Sequence, residues 1–223
     1  MQPKPSASVV YATRVGGKTI DRDAEGGNPF ASALIEATAN QSHSLGSLLR
    51  DAAARTVDLS SGVQQPTWAL RPGHSKWKLE RWDMEPRERR VALVLVAYDY
   101  ESTELGFLTG AAFDQRRIAA VFAGLGFSVM QDIGPARGEV VNALQAFAKL
   151  SANADAAFIY STGHGIHQQG DTFLLPCDYP AAEGYATNQV LKAGVPVARL
   201  CQACHARSTN VVMFAGCRTT SYR

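Results

Sequence analysis

An excess of charge of either sign is missing from this 223-residue chain: 22 Lys and Arg stand against 20 Asp and Glu, a net of +2. A balance that even offers no stripe for nucleic acid or an anionic membrane, so neither is expected as a partner. Long apolar runs are missing too, and none approaches the roughly twenty residues of a membrane span. The opening MQPKPSASVVYATRV lacks the charged start and apolar core of a secretory leader. Cysteine is scarce, at four, too few for a disulfide scaffold and in keeping with reduced thiols. There is no internal repeat and no low-complexity segment. These absences predict a cytoplasmic globular protein with enough chain for one sizeable α/β domain or two small ones; a monomer is the separate expectation.

What is present alternates between two periods. ASVVYAT (7–13) reads as a short buried strand. Asn28 and Pro29 then stand as N-cap and first residue of a helix whose Phe30, Leu34 and Ala37 share a face. Leu45, Leu48, Leu49 and Ala52 predict a second helix over 43–56. RPGHSKWKLERWDMEPRERR (71–90) is charged, carries two prolines and has no apolar period; it reads as a linker with a short strand near Trp77, and His43 and His74 read as surface residues.

The second part is more regular. VALVLVAY (91–98), GFSVMQDI, ADAAFIYST, DTFLLP and NVVMFAG read as strands, with helices expected near 113–125, 137–151 and 195–207. Strands alternating with helices argue for an α/β fold with a mostly parallel central sheet covered by helices on both faces.

Two of these strands run into residues with chemistry. AAFIYST leads into Gly163-His164-Gly165, and VVMFAG into Cys217-Arg218. Ligand sites of open parallel sheets gather beyond the carboxyl ends of strands, so His164 and Cys217 can lie side by side although 53 residues apart. A neighbouring imidazole makes a cysteine a competent nucleophile near neutral pH, and flanking glycines let backbone N–H groups approach an oxyanion. On local pattern alone, a buried core cysteine beside a turn histidine stands as an equal alternative.

FIYSTGHGIHQQGDTFLLPCDYP resembles the histidine segment of the caspase/metacaspase superfamily: a strand, Tyr-Ser-Gly-His-Gly, then a hairpin ending Leu-x-Pro-x-Asp. VVMFAGCR resembles its cysteine strand, with the His about 50 residues upstream, and LTGAAFDQRRIAAVFAGLGFSV its segment after the first strand. The resemblance implies a caspase-like (caspase-hemoglobinase) fold and a cysteine endopeptidase acting on proteins or peptides without a cofactor. His164 would be the general base and Cys217 the nucleophile, with the N–H groups of Gly165 and Cys217 as oxyanion donors. Residues 7–70 resemble the family's small-subunit half, which ordinarily follows the cysteine. Here it precedes, as in rearranged (type III) metacaspases: 1–80 would be the small-subunit-like half and 88–223 the catalytic half of one folded domain. The chain ends, 223 and 1, are then expected on one edge of the molecule. A fragment of a tandem array is the alternative.

The same resemblance bears on specificity. Asp114 stands where metacaspases carry a carboxylate that receives Arg or Lys, while their second carboxylate, two residues before the nucleophile, is Ala215 here. Asp21 is either a compensating carboxylate or a solvated loop charge, and Thr162 replaces the usual serine with its hydroxyl kept. Cleavage after Arg or Lys is the expectation; a caspase-type peptidase acting after Asp, and a non-catalytic scaffold of the same fold, are the rivals. No metal is expected, and calcium is not: after the hairpin only Asp178 and Glu183 remain of the carboxylates that calcium-dependent relatives use. CQACH (201–205) has the spacing of a c-type haem attachment, but Val197, Leu200, Cys201 and Cys204 fall on one helical face, so both thiols read as core residues. Cys177 reads as structural, and His167 as a neighbour of His164 without its glycines.

Overall fold

The apolar runs assemble in a computed structural model that describes residues 7–39, 43–79, 88–100 and 104–220. In chain order the elements are β1 (Ser8–Tyr11), α1 (Pro29–Ala39), β2 (His43–Ser44), α2 (Leu45–Leu59), β3 (Thr67–Ala69), β4 (Lys78–Leu79) and β5 (Arg90–Val96). There follow α3 (Thr109–Gly124), β6 (Phe127–Ile133), α4 (Arg137–Ser151), β7 (Ala156–Thr162), β8 (Gly165–Gln168) and β9 (Asp171–Leu174). The last are α5 (Thr187–Ala193), β10 (Val195–Pro196), α6 (Val197–Gln202) and β11 (Thr209–Phe214).

Six strands make the central sheet in the order β3-β1-β11-β7-β5-β6, parallel except for the edge strand β3. Every residue of β5, β7 and β11 is buried, as strands covered on both faces must be. One face packs on α1, α2 and α3 through Phe30, Leu48, Phe122 and Phe158; the other packs on α4 and α6 through Leu144, Phe147, Leu200 and Cys204. The chain is thus a mixed α/β protein with a mostly parallel sheet between helices, the fold class that its alternating periods predict.

Local chemistry sets the helix starts. The side chain of Asn28 accepts the N–H of Phe30 at 2.8 Å, and that of Ser44 accepts the N–H of Ser47 at 3.2 Å. At α4 the first N–H groups go to carboxylates: Ala136 to Glu139 and Arg137 to Asp178, each at 2.8 Å. Such caps satisfy donors that have no partner within the helix.

Several expectations need correction. The described part of the charged segment is no linker: the 3-10 turn at His74–Lys76 and β4 dock on the core, and the Trp77 ring packs 5.2 Å from that of Phe158; residues 80–87 lie outside the described residues. His74 is buried, not at the surface, because the Ser8 hydroxyl meets its Nδ1 at 2.7 Å. The side chain of His43 lies outside the described residues. The helix expected over 195–207 shrinks to α6. Its last turn tightens, with Ala203 and Cys204 bonding to Leu200 and Cys201, and the Asn210 side chain takes both the N–H and the C=O of Ala206 to bend the chain into β11.

The ends of the described chain also lie differently from the expectation of one shared edge. Ser8 pairs with Val211 and Tyr11 with Phe214, in parallel. Residue 7 therefore sits at the edge of the sheet where β11 begins, and residues 215–220 leave from the opposite edge.

Candidate active site

The carboxyl edge of the sheet gathers the candidate residues. β7 ends in Thr162 and β11 in Phe214, adjacent strands in register, so the turns that follow them carry His164 and Cys217 to the same place. A cavity of about 70 Å³ there is lined by Thr19, Asp21, Asn28, Leu108, Thr162, Gly163, His164, Ala215 and Cys217. His164 and Cys217, separated in the chain, share one wall-to-wall space.

Close backbone approach explains the glycines. Gly163 has φ +148, and a β-carbon there would lie 2.8 Å from the Ala97 carbonyl oxygen. One at Gly165 would stand 2.5 Å from the carbonyl oxygen of Cys217 and 2.7 Å from the Phe214 ring. Gly165 therefore abuts the nucleophile candidate, where any larger residue would push the two turns apart.

His164 is held on three sides. Its ring meets the buried Tyr100 edge to face at 4.8 Å, its backbone N–H donates to the Tyr100 hydroxyl at 3.2 Å, and that hydroxyl donates to the Leu175 carbonyl at 2.6 Å. The ring Nε2 lies 3.1 Å from the carbonyl oxygen of Leu105. A carbonyl only accepts, so Nε2 carries the proton and the lone pair of the neutral ring is on Nδ1. Burial lowers the imidazole pKa, partly offset by the Leu105 carbonyl and by Asp21, which leaves the ring neutral at pH 7.

The thiol is held from the other half of the sequence. Both the backbone N–H and the hydroxyl of Thr19 lie 3.3 Å from Cys217 Sγ. Around it, Gly16 donates to the Arg218 carbonyl at 2.8 Å and Arg218 to the Gly17 carbonyl at 2.9 Å. Residues near the start of the chain thus form the wall beside a cysteine near its end.

The two acidic candidates part company. Asp21 lines the cavity, and its two oxygens accept the N–H groups of Gly110 and Ala111 at 2.9 and 3.1 Å, at the start of α3. Asp114 is fully buried behind Asn28, accepts the Asn28 N–H at 2.7 Å and pairs with Arg117 at 3.2 Å. Burial raises its pKa to about 7, against the Asn28 bond and the Arg117 charge. Asp114 is not among the cavity-lining residues; it reaches the cavity through Asn28, whose side-chain amide donates to the Ile20 carbonyl beside Asp21. Thr162 and Ala215 are buried in the cavity wall.

Thr19, Asn28, Leu108, Tyr100 and the Leu105 carbonyl escaped the sequence reading. Asn28 was legible only as a helix cap, and a backbone carbonyl has no side-chain signature at all. Among the described residues no group of three or more His, Cys, Asp or Glu is placed to hold a metal ion. No helix among them is long and apolar enough to cross a membrane.

A family model described as the caspase domain matches residues 89–219, more than half of the chain. The chain belongs to the caspase-domain family. That family is of the cysteine-peptidase type, and its matched span includes both His164 and Cys217. The match begins beyond β1 and the loop that carries Thr19 and Asp21, so these belong to the unmatched part. Comparison with curated proteins gives no match.

Proposed function

We propose that this caspase-domain protein is an endopeptidase that cleaves after Arg or Lys with Cys217 as nucleophile and His164 as base. The observation that carries the reading is the anchoring of His164 Nε2 on the Leu105 carbonyl in the cavity shared with Cys217. Nδ1 of the neutral ring accepts the Sγ proton, and the thiolate attacks the peptide carbonyl. The N–H groups of Gly165 and Cys217 receive the oxyanion. His164 returns its proton to the leaving amine, and water then hydrolyses the thioester.

Asp21 supports a basic residue before the scissile bond, because among the described residues it is the one carboxylate on the cavity wall. Asp114 acts behind it, holding Asn28 and through it the loop at Ile20. The place of β1 beside β11, and of Thr19 on the thiol, supports residues 1–80 as a small-subunit-like half that completes the site of residues 88–223 in rearranged, type III metacaspase order.

Peptide substrates varied at the residue before the scissile bond test this on the purified full chain. Turnover after Arg and Lys is expected. Efficient cleavage after Asp overturns the specificity, and no turnover of any peptide favours the scaffold. The order of the halves has its own test in a gene running from Glu88 to Arg223 and on into residues 1–80. Parallel neighbours need a crossover of about a dozen residues. Residues 215–223 and 1–7 already lie between β11 and β1, so a short Gly/Ser linker is expected to restore activity; inactivity at every linker length overturns the rearrangement.

A further inference from the structure

Arg218, the residue after the candidate nucleophile, is 7% exposed. Its guanidinium lies over the Tyr11 ring at 3.7 Å. Nε donates to the Thr172 hydroxyl at 3.2 Å, and Nη1 to the Thr13 carbonyl at 3.3 Å and the Thr67 hydroxyl at 3.4 Å. Among the described residues no carboxylate lies within ion-pair distance of it. A buried cation without a counter-ion is costly, and burial accordingly lowers the Arg218 pKa, with Tyr11 opposing.

What the guanidinium spans is informative. Tyr11 and Thr13 belong to β1 and its exit, Thr67 to the edge strand β3, and Thr172 to the hairpin β8–β9 that follows His164. One planar, forked group therefore joins the first part of the chain to both the cysteine turn and the histidine turn. The backbone of the same residue is clamped between Gly16 and Gly17, and Thr219 beyond it accepts the N–H of His167 at 2.8 Å. Tyr11 in turn meets Phe214 edge on at 6.4 Å, the ring against which Gly165 packs. Hydroxyls, a carbonyl and a ring face can orient a guanidinium in only one way. A lysine, one point charge on a flexible stem, cannot reach three oxygens and stack at once.

We propose that Arg218 is the positioning residue of this site: it locks the cysteine turn onto β1, β3 and the hairpin, and so holds the Cys217 thiol in the cavity where His164 can act on it. This rests on the reading of Cys217 and His164 as partners, but not on peptide hydrolysis itself.

Alkylation of Cys217 by iodoacetamide at pH 7, read by peptide mass spectrometry on the full chain, tests it in four proteins: the wild type, Arg218→Lys, His164→Ala and the double variant. In the wild-type background, His164→Ala is expected to slow alkylation at least about tenfold; in the Arg218→Lys background it should make no further difference. On a peptide substrate, Arg218→Lys should lower kcat about a hundredfold, the scale of a small misplacement of a reacting group, with KM within about threefold. If the His164 dependence survives intact and only the thermal midpoint falls, Arg218 is a structural staple and the proposal is overturned. Should Arg218→Lys fail to fold, Thr172→Val and Thr67→Val each remove one acceptor; a partial loss of the His164 dependence supports the proposal and none overturns it. A wild-type thiol indifferent to His164 overturns both the partnership and the positioning role. Alkylation that depends on His164 in a protein that cleaves no peptide overturns the peptidase reading alone.

Discussion

Cys201 and Cys204 occupy one region of this molecule and Cys217 another, and the two treat the same atom differently. The first pair lies under the sheet in the core with Val197, Leu200 and Val212. Burial pushes the Cys201 thiol up to about 12 and that of Cys204 well above its ordinary value. Cys217 is partly exposed, at a cavity wall, with an N–H and a hydroxyl on its sulfur. The segment with the richer motif, CQACH, thus holds the buried thiols, and the later Cys217 is the one with a neutral imidazole across its cavity. Reactivity is decided by solvation and partners, which spacing alone does not report.

The largest expected effect separates the two regions at once. Cys217→Ala and His164→Ala should each lower peptidase activity at least about a thousandfold, and the double variant should be little worse, since each removes one member of a unit. Cys201→Ala should leave turnover within about threefold. In the native wild type, iodoacetamide should modify Cys217 and reach Cys201 and Cys204 only after unfolding. Substantial turnover in Cys217→Ala, or native labelling of Cys204, would erase the distinction.

Asp21→Asn comes next. It keeps an acceptor for the start of α3 but removes the charge from the cavity wall. The preference for Arg or Lys over a neutral residue should fall about 10- to 100-fold, roughly 1.4–2.8 kcal/mol. An unchanged preference, measured as the ratio of kcat/KM values, would exclude Asp21 as the recognising carboxylate.

In the core, Cys204→Ser should destabilise by about 1–3 kcal/mol, because a hydroxyl there must be desolvated without an assured partner. Denaturant unfolding reads this, and kcat of the folded variant should not move. A loss of kcat would show that the thiol pair couples to the site after all.

The smallest effect concerns pH. The His164 pKa is lowered from its ordinary 6.5, and in the proposed mechanism the neutral ring is the base. Activity should therefore persist as pH falls through 6.5 and be lost only below it. The sign for stability agrees: an imidazole that resists protonation in the fold contributes stability that is full above 6.5 and declines as pH falls toward its folded value. Asp114, raised to about 7, runs the other way, its contribution being present below the ordinary 3.8 and lost as pH rises through 7. An acid limb of kcat/KM at or above 6.5 would mean a charged resting His164.

Much of this architecture was local information. Val91 to Val96 and Ala156 to Tyr160 are unbroken apolar runs, and runs that short between breaker residues read as strands buried on both faces. Val140, Leu144 and Phe147 recur at the helical period, and α4 covers the span 137–151 that they predict. Ala156 to Thr162 runs into Gly163-His164-Gly165 and the apolar run of β11 into Cys217, so the rule that sites lie beyond strand ends brought the two residues together as candidates, and the family resemblance chose between that pairing and a plain core cysteine beside a turn histidine.

Other features exist only once the chain has closed. β3 is three residues long and owes its existence to pairing with β1; no period is visible in Thr-Trp-Ala. His74 looks like a surface residue until Ser8, 66 positions away, takes its Nδ1. Asp21 and Asp114 are indistinguishable as letters, yet one lines the cavity at the start of α3 and the other is buried a turn further on behind Asn28. The proton on His164 is placed by the carbonyl of Leu105, and a carbonyl is common to every residue. Sequence by itself determined which segments become strands and helices, and which side chains stand at their ends, because period and breaker residues act over a few neighbours. Tertiary structure alone decided which thiol is exposed, which carboxylate is desolvated and which nitrogen carries the proton, because those properties belong to surroundings assembled from residues up to 198 positions apart.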